Sequence, residues 1–374
     1  MKFAVFAVCA ACAIPMYTYA DDDASDKSTK GPSAAMKAAA VPKMWEGSRM
    51  VTAPEMTYSP GSAAGAPKPF PNGTFHFVRE EIKATFPKIE VKDALGRKYK
   101  VKFGNGNDSK SHSEIANNRL LWAIGFRARE IYYVASGKLD AFTPGDPKNP
   151  GKRSRLASRL EKDADGFYPF EDVTFTAKED DATAAISWGY EDSNLPDSIA
   201  KSPQFTWLKI FDVMVGNWDT GRDNHAIYYV KNASGQFDAW YHDKDVGTGF
   251  GKDHEGAGLF RIRPTRWKLG DYQKGKFVMW DNGRPNQEVK GDQIHFDFAT
   301  SKTMPHAKEV QEACSTVSKA DAKAFVEQVL NRIPQEAIRE AFRTSGAAPQ
   351  EVDGYTSALL GKIQELRIAS GARQ

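Results

Sequence analysis

Apolar and charged residues alternate in short runs early in the chain, and the period then lengthens. Thr74-Phe75-His76-Phe77-Val78 alternates and predicts a first strand. Residues 86–103, FPKIEVKDALGRKYKVKF, predict two more strands joined by a turn at Ala94-Leu95-Gly96, with Lys102 closing the second. After this the spacing turns helical. SHSEIANNRLLWAIGF (111–126) sets Ile115, Leu120, Leu121 and Ile124 at helical intervals, with Ser111 or Ser113 as the cap, and FTWLKIFDVMV (205–215) reads as a buried helix. Tyr228 to Val230 end a strand, NASGQ (232–236) turns, and Phe237 to Tyr241 begin the return strand. The C-terminal end reads as all helix. Ser318 opens a Ser-x-x-Asp capping box, and Ala322, Phe325, Val326, Val329, Leu330 and Ile333 mark one face before Pro334. Ile338 and Phe342 follow on a second segment, and Val352, Tyr355, Leu359, Leu360, Ile363 and Leu366 on a third.

Composition narrows the partners. With 51 basic and 48 acidic residues interspersed, the net charge of +3 gives no footprint for nucleic acid. Residues 1–20 read as a signal peptide, with Lys2, an apolar run from Phe3 to Met16 and cleavage after Ala20. An exported protein, periplasmic or secreted, is therefore expected, and no later stretch is long enough for a membrane span. Cys9 and Cys12 lie in that leader, so Cys314 is left without an intramolecular disulfide partner. Residues 21–71 are rich in Ala, Ser, Pro and Gly and read as a disordered low-complexity linker. Asp146 to Arg155 (DPKNPGKRSR) is expected to be a charged loop, and Arg261, Arg263, Arg266 and Lys268 are expected to form a basic segment that either is a solvated surface loop or meets an acidic or phosphorylated substrate.

The chemistry concentrates in residues 216–251. Asp219 is followed five positions later by Asn224, and after the predicted hairpin comes Asp245 in an Asp-Val-Gly turn, with Gly247, Gly249 and Gly251 behind it. Phosphoryl transfer needs an Asp to orient the attacking hydroxyl and accept its proton, then an Asn and a second Asp on the metal. Glycines there permit close backbone approach and positive φ. Upstream, Lys102 is a candidate for the phosphates, and Glu114, 12 residues on, for holding that lysine.

YKVKFG (99–104), RLLWAIGF (119–126), NWDTGRDNH (217–225) and DKDVGTGFG (243–251) together resemble an atypical kinase-like group. That group includes HipA-type kinases, CotH-type spore-coat kinases, secretory-pathway casein kinases and phosphatidylinositol kinases; the chain looks closest to a set of bacterial exported proteins. The similarity runs from about Phe75 to about Leu366. It implies an α+β, bilobal protein-kinase-like fold, with a small β-rich N-lobe at 72–140 and a larger, mostly helical C-lobe at 141–374. It also implies Mg2+ or Mn2+, ATP or another nucleotide, and a hydroxyl acceptor such as protein Ser or Thr. Carried over by position are Lys102 on the phosphates, Glu114 as its partner, Asp219 as base or orienter, and Asn224 and Asp245 on the metal. Asp243 is the alternative ligand. One departure is plain: no Gly-x-Gly-x-x-Gly precedes the lysine strand, so the phosphate cover is expected from Glu80 to Lys88.

Other readings stay open. Asp-x4-Asn also occurs as Asx-turn chemistry, Lys102 also fits a solvated strand and Glu114 a helix first turn. A kinase-fold module that binds without turnover would keep the same residues. Asp219, His225, His242 and Asp245 would instead suit a metal-dependent phosphoesterase, and the two histidines a zinc site, although their spacing matches no tight zinc signature.

Overall fold

The computed structural model describes residues 32–47, 71–82, 87–104, 110–177, 182–190, 192, 194–217, 220, 224–243, 249–251, 267–281, 284–285, 292–297 and 307–373. The expected leader at 1–20 lies outside them, as do Arg261, Arg263 and Arg266. The expected linker at 21–71 needs correction, because part of it is ordered. Ser33 caps a short helix α1 (Ala34–Ala39) by accepting from Met36 N at 3.1 Å, and β1 (Val41–Lys43) follows. Three residues carry no alternation to read, and their order comes from a distant strand with which they pair.

The alternating segments close into a barrel. Strands β2 (Thr74–Glu81), β3 (Lys88–Lys92) and β4 (Lys98–Phe103) precede helix α2 (Lys110–Ala123), and β5 (Ile131–Leu139) and β6 (Tyr168–Ala177) follow it. Their order is β2-β3-β4-β6-β5. The turn between β3 and β4 falls where Ala94-Leu95-Gly96 predicted it. Asp93 Oδ1 accepts from Leu95 N and Arg97 N at 3.0 and 2.9 Å, and Gly96 takes φ 77°. Phe75, Ile89, Val91, Tyr99, Val101 and Phe175 fill the interior, because the period of two sends them to one face. The expected lobe boundary at 140 falls inside this barrel, since β6 pairs with both β4 and β5. Phe142, Leu156 and Leu160 of the connection join the same core.

Glu80 also departs from expectation. It is fully buried and accepts from Gly145 N, Ser154 Oγ and Arg155 N at 2.9, 3.0 and 3.1 Å, so it holds the charged loop 146–155 against the barrel. Its carboxylate is spent on that loop; residues 83–86 of the expected cover lie outside the described residues.

The second half is built on a four-stranded sheet of order β1-β9-β8-β7, where β7 is Ala182–Trp188, β8 is His225–Lys231 and β9 is Phe237–Asp243. The short β1 lies parallel to β9. Helices α3 (Asp197–Ala200) and α4 (Pro203–Val215) connect β7 to β8, and Ser202 caps α4 at Phe205 N, 3.2 Å. Then come α5 (Leu269–Lys274), the two-residue strands β10 (Trp280–Asp281) and β11 (Arg284–Pro285), β12 (Gln293–His295), α6 (Ala307–Cys314), β13 (Thr316–Ser318), α7 (Lys319–Gln328), α8 (Gln335–Thr344) and α9 (Pro349–Ser370). From Ser318 onward the end is helical as expected, and just ahead of it β13 pairs with β12. Ser318 caps α7 as its motif requires, accepting from Asp321 N at 3.0 Å. The apolar faces of α4, α7, α8 and α9 share one core, distinct from that of the barrel. Among the described residues no helix is long and apolar enough to cross a membrane.

Phe175 is fully buried between Phe75 and Tyr99, with ring centroids at 4.6 and 5.6 Å. Phe175→Ala should lower unfolding free energy by about 3–5 kcal/mol, read as a drop in the urea midpoint with the slope unchanged.

Candidate active site

Strand β4 sends Tyr99, Val101 and Phe103 into the barrel and Lys98, Lys100 and Lys102 to the opposite face. The structure separates these three lysines. Lys98 is exposed, Lys100 Nζ lies 3.5 Å from Glu81, and Lys102 Nζ lies 2.8 Å from Glu114 Oε1. Both Lys102 and Glu114 are buried, their side chains only 6% and 3% exposed. A buried ammonium is stable there because the carboxylate compensates its lost hydration. Glu114 Oε2 is equally buried and has no hydrogen-bond partner among the described residues. Around the pair the same face carries Arg79, bonded to Glu90 at 2.7 Å and Glu81 at 3.2 Å.

Helix α2 begins before either predicted cap. Ser113 lies inside it and donates to Gly249 O at 3.3 Å, so this hydroxyl joins the helix to the glycine turn instead of capping. On its other side Arg119, fully buried, donates to Ile131 O of β5 at 2.8 Å. Burial pushes that guanidinium down to about 10, against the upward pull of Tyr132 and Glu130. Helix α2 therefore bridges the barrel and the second half.

The turn is fixed from three sides. Gly249 has φ 126°, and a Cβ on it would come within 2.8 Å of Val215 O and 3.1 Å of Asn117 Nδ2, so only glycine fits between α4 and α2. Phe250 N donates to Val215 O at 2.8 Å, and Lys268 N to Phe250 O at 2.7 Å. Phe250 takes φ 53° in the left-handed region, a cost offset by its fully buried ring among Trp267, Tyr272, Phe342 and Tyr355 at 5.1–5.7 Å.

The loop before β8 is held by a residue that sequence reasoning passed over. Asp212 is fully buried on α4 and accepts from Tyr190 Oη at 2.5 Å and Asn217 Nδ2 at 3.0 Å. Gly216 ends the helix at φ 71°, and Asn217 N returns to Asp212 O at 2.8 Å. The signal was present as an acid within the apolar run Ile210 to Val215, which demands buried partners. At the far end of the loop His225 Nε2 lies 3.1 Å from Thr220 O, beneath Trp188 at 4.4 Å and Tyr190 at 4.8 Å. That contact gives His225 a loop-holding role.

Asn224 is buried at the start of β8, and the register pairs His225 with Asp243, so the hairpin returns β9 beside Asn224. Asp219, Asp245 and the side chains of Asp243 and His242 lie outside the described residues. Among the described residues no group of three His, Cys, Asp or Glu side chains forms a metal site. An amide oxygen such as that of Asn224 suits a hard divalent cation better than zinc.

No family model and no curated protein matches the chain. It is similar to solved structures of kinases. A Helicobacter pylori proinflammatory kinase, CtkA, has 10% identity over 80% of this chain and 96% of that one, with a TM-score of 0.39. The Golgi casein kinase with Mn and ADP bound has 13% identity over 80% and 73%, TM-score 0.34. A second structure of the Golgi casein kinase has 13% identity over 79% and 72%, TM-score 0.35. At these values the likeness says nothing of activity, for which the chain's own residues must answer.

Glu114→Gln should cost about 3–5 kcal/mol by removing the carboxylate at 2.8 Å from the buried Lys102 ammonium, whereas Lys102→Met with Glu114→Leu should recover most of that loss. Equilibrium unfolding of both variants checks this; equal loss in the double variant would count against a tightly coupled pair.

Proposed function

We propose that this chain is an exported, two-lobed kinase-like phosphotransferase that moves a phosphoryl group from ATP or another nucleotide to a hydroxyl acceptor, with protein Ser or Thr favoured. The observation that carries this is the buried Lys102–Glu114 pair, made by a helix that is itself bonded to the turn following Asp245. Lys102 would bind the phosphates as a point charge, and Glu114 holds its ammonium in place. Asp219, two positions after Asn217 in the loop that Asp212 ties down at its start, would orient the acceptor hydroxyl and take its proton. Asn224 and Asp245, with Asp243 as the alternative, would hold Mg2+ or Mn2+, which supplies charge neutralisation on the transferring group. The acceptor oxygen gains the phosphoryl group as the bond to the nucleotide's leaving oxygen breaks.

A second reading, a module that binds nucleotide and metal without turnover, is favoured by the absence of a glycine-rich loop before β4. The phosphoesterase reading loses ground, because His225 Nε2 already faces the Thr220 carbonyl.

Thermal shifts with ATP and Mn2+, alone and together, discriminate these readings. In the transfer reading both ligands are needed for a shift, Asp245→Asn abolishes it, and Asp219→Asn keeps it while stopping phosphate transfer from labelled ATP. A shift with metal alone would support the phosphoesterase. If both variants bind and turn over like the parent, the site is misplaced.

A further inference from the structure

Residues 32–47 lie apart from the barrel in sequence, yet they meet three elements that carry the proposed site. On one side β1 runs parallel to β9, pairing Val41 with Asp238, Pro42 with Ala239 and Lys43 with Trp240. Lys43 Nζ reaches Asp238 Oδ2 at 2.7 Å and lies over the Trp240 ring at 5.4 Å. Strand β9 ends at Asp243, two positions short of Asp245. On the other side Trp45 Nε1 donates to Ile124 O at 2.8 Å, Glu46 N donates to Gly125 O at 2.8 Å, and Trp45 bridges Phe126. These residues follow directly on α2, the helix of Glu114. A Cβ on Gly125 would collide with Gly47 O and Trp45 Nε1, so the notch there is shaped to the segment. Finally the Trp45 ring meets Trp207 of α4 edge-on at 5.4 Å, and α4 leads into the Asp219 loop.

We infer that residues 32–47 are a positioning strap, with Trp45 as its key, which sets α2 against α4 and β9 so that Glu114 meets Lys102. This rests on the phosphotransferase reading and adds a control to that site. Met44, in the second core, is the one buried side chain of the strap; Met36, Ala40 and Trp45 are only partly buried against that core, and Val41 is 47% exposed. A segment with so few buried contacts opens at far lower cost than the cores it joins. Release leaves both cores folded while α2 loses its C-terminal tether. The strap thus couples the N-terminal region of the chain to the lysine pair without touching substrate.

Trp45→Ala and Trp45→Phe in the full chain, with hydrogen exchange and the ATP with Mn2+ thermal shift, test this. In Trp45→Ala, exchange of the α2 amides 115–123 should rise at least tenfold, with those of Ile89, Val101 and Phe175 in the barrel unchanged. The nucleotide-dependent shift should fall below half the parent's, and Trp45→Phe, which keeps a ring against Trp207, should restore most of it. Strap amides 41–46 exchanging freely while α2 exchanges as in the parent would overturn the inference. So would a uniform rise across the whole chain, or a lowered melting temperature with the nucleotide increment intact, since each marks a merely structural role. Should Trp45→Ala not fold, Lys43→Glu releases the strap at its other end and is judged by the same readouts. If the parent shows no nucleotide shift, the phosphotransferase reading falls, and the exchange of α2 still decides the strap.

Discussion

An ammonium group taken out of water needs a counter-charge, and in this chain that requirement joins a barrel strand to a helix. Lys102 leaves the barrel on the outward face of β4, and Glu114 meets it from α2 at 2.8 Å. Everything else at the site follows from where that helix must lie. Arg119 fastens it to β5, Ser113 reaches the glycine turn, and Asn117 packs so close to Gly249 that no side chain fits between them. Thus one electrostatic demand in the first half sets the position of a turn more than 130 residues later in the second.

The second constraint is the burial of Asp212. An acid inside the apolar helix α4 is tolerable only with donors, and Tyr190 and Asn217 supply them. These donors flank helices α3 and α4 in sequence, Tyr190 before them and Asn217 after, so one carboxylate ties together the chain at both ends of that helical stretch. His225, under Trp188 and against the Thr220 carbonyl, closes the same loop from β8. Buried hydrogen bonds thus fix the chain on both sides of that loop, at Asn217 and at His225.

How much of this was legible in the sequence depended on range. The β3–β4 hairpin, α4, the β8–β9 hairpin and the cap of α7 were visible because alternation, turn residues and capping are local. The lysine pair was legible because strand and helix lie 12 residues apart with a single short connection. What escaped was long range. Pairing of β6 moved the barrel past residue 140, Glu80 turned inward to hold a loop 65 residues away, and Ser113 left the cap for Gly249. None of these has a local signature, because each partner is chosen by packing. The linker at 21–71 was misjudged for the same reason: Val41-Pro42-Lys43 becomes a strand only because β9 offers it an edge.

That edge has a bearing on solubility. A strand at the margin of a sheet displays unpaired N–H and C=O groups that can recruit another chain. Here β1 covers β9 at Asp238, Ala239 and Trp240, so the chain shields its own margin with its own N-terminal residues. Trimming away the residues ahead of the barrel would bare that margin, with the apolar Trp240 beside it, and would trade a covered sheet edge for one open to self-association.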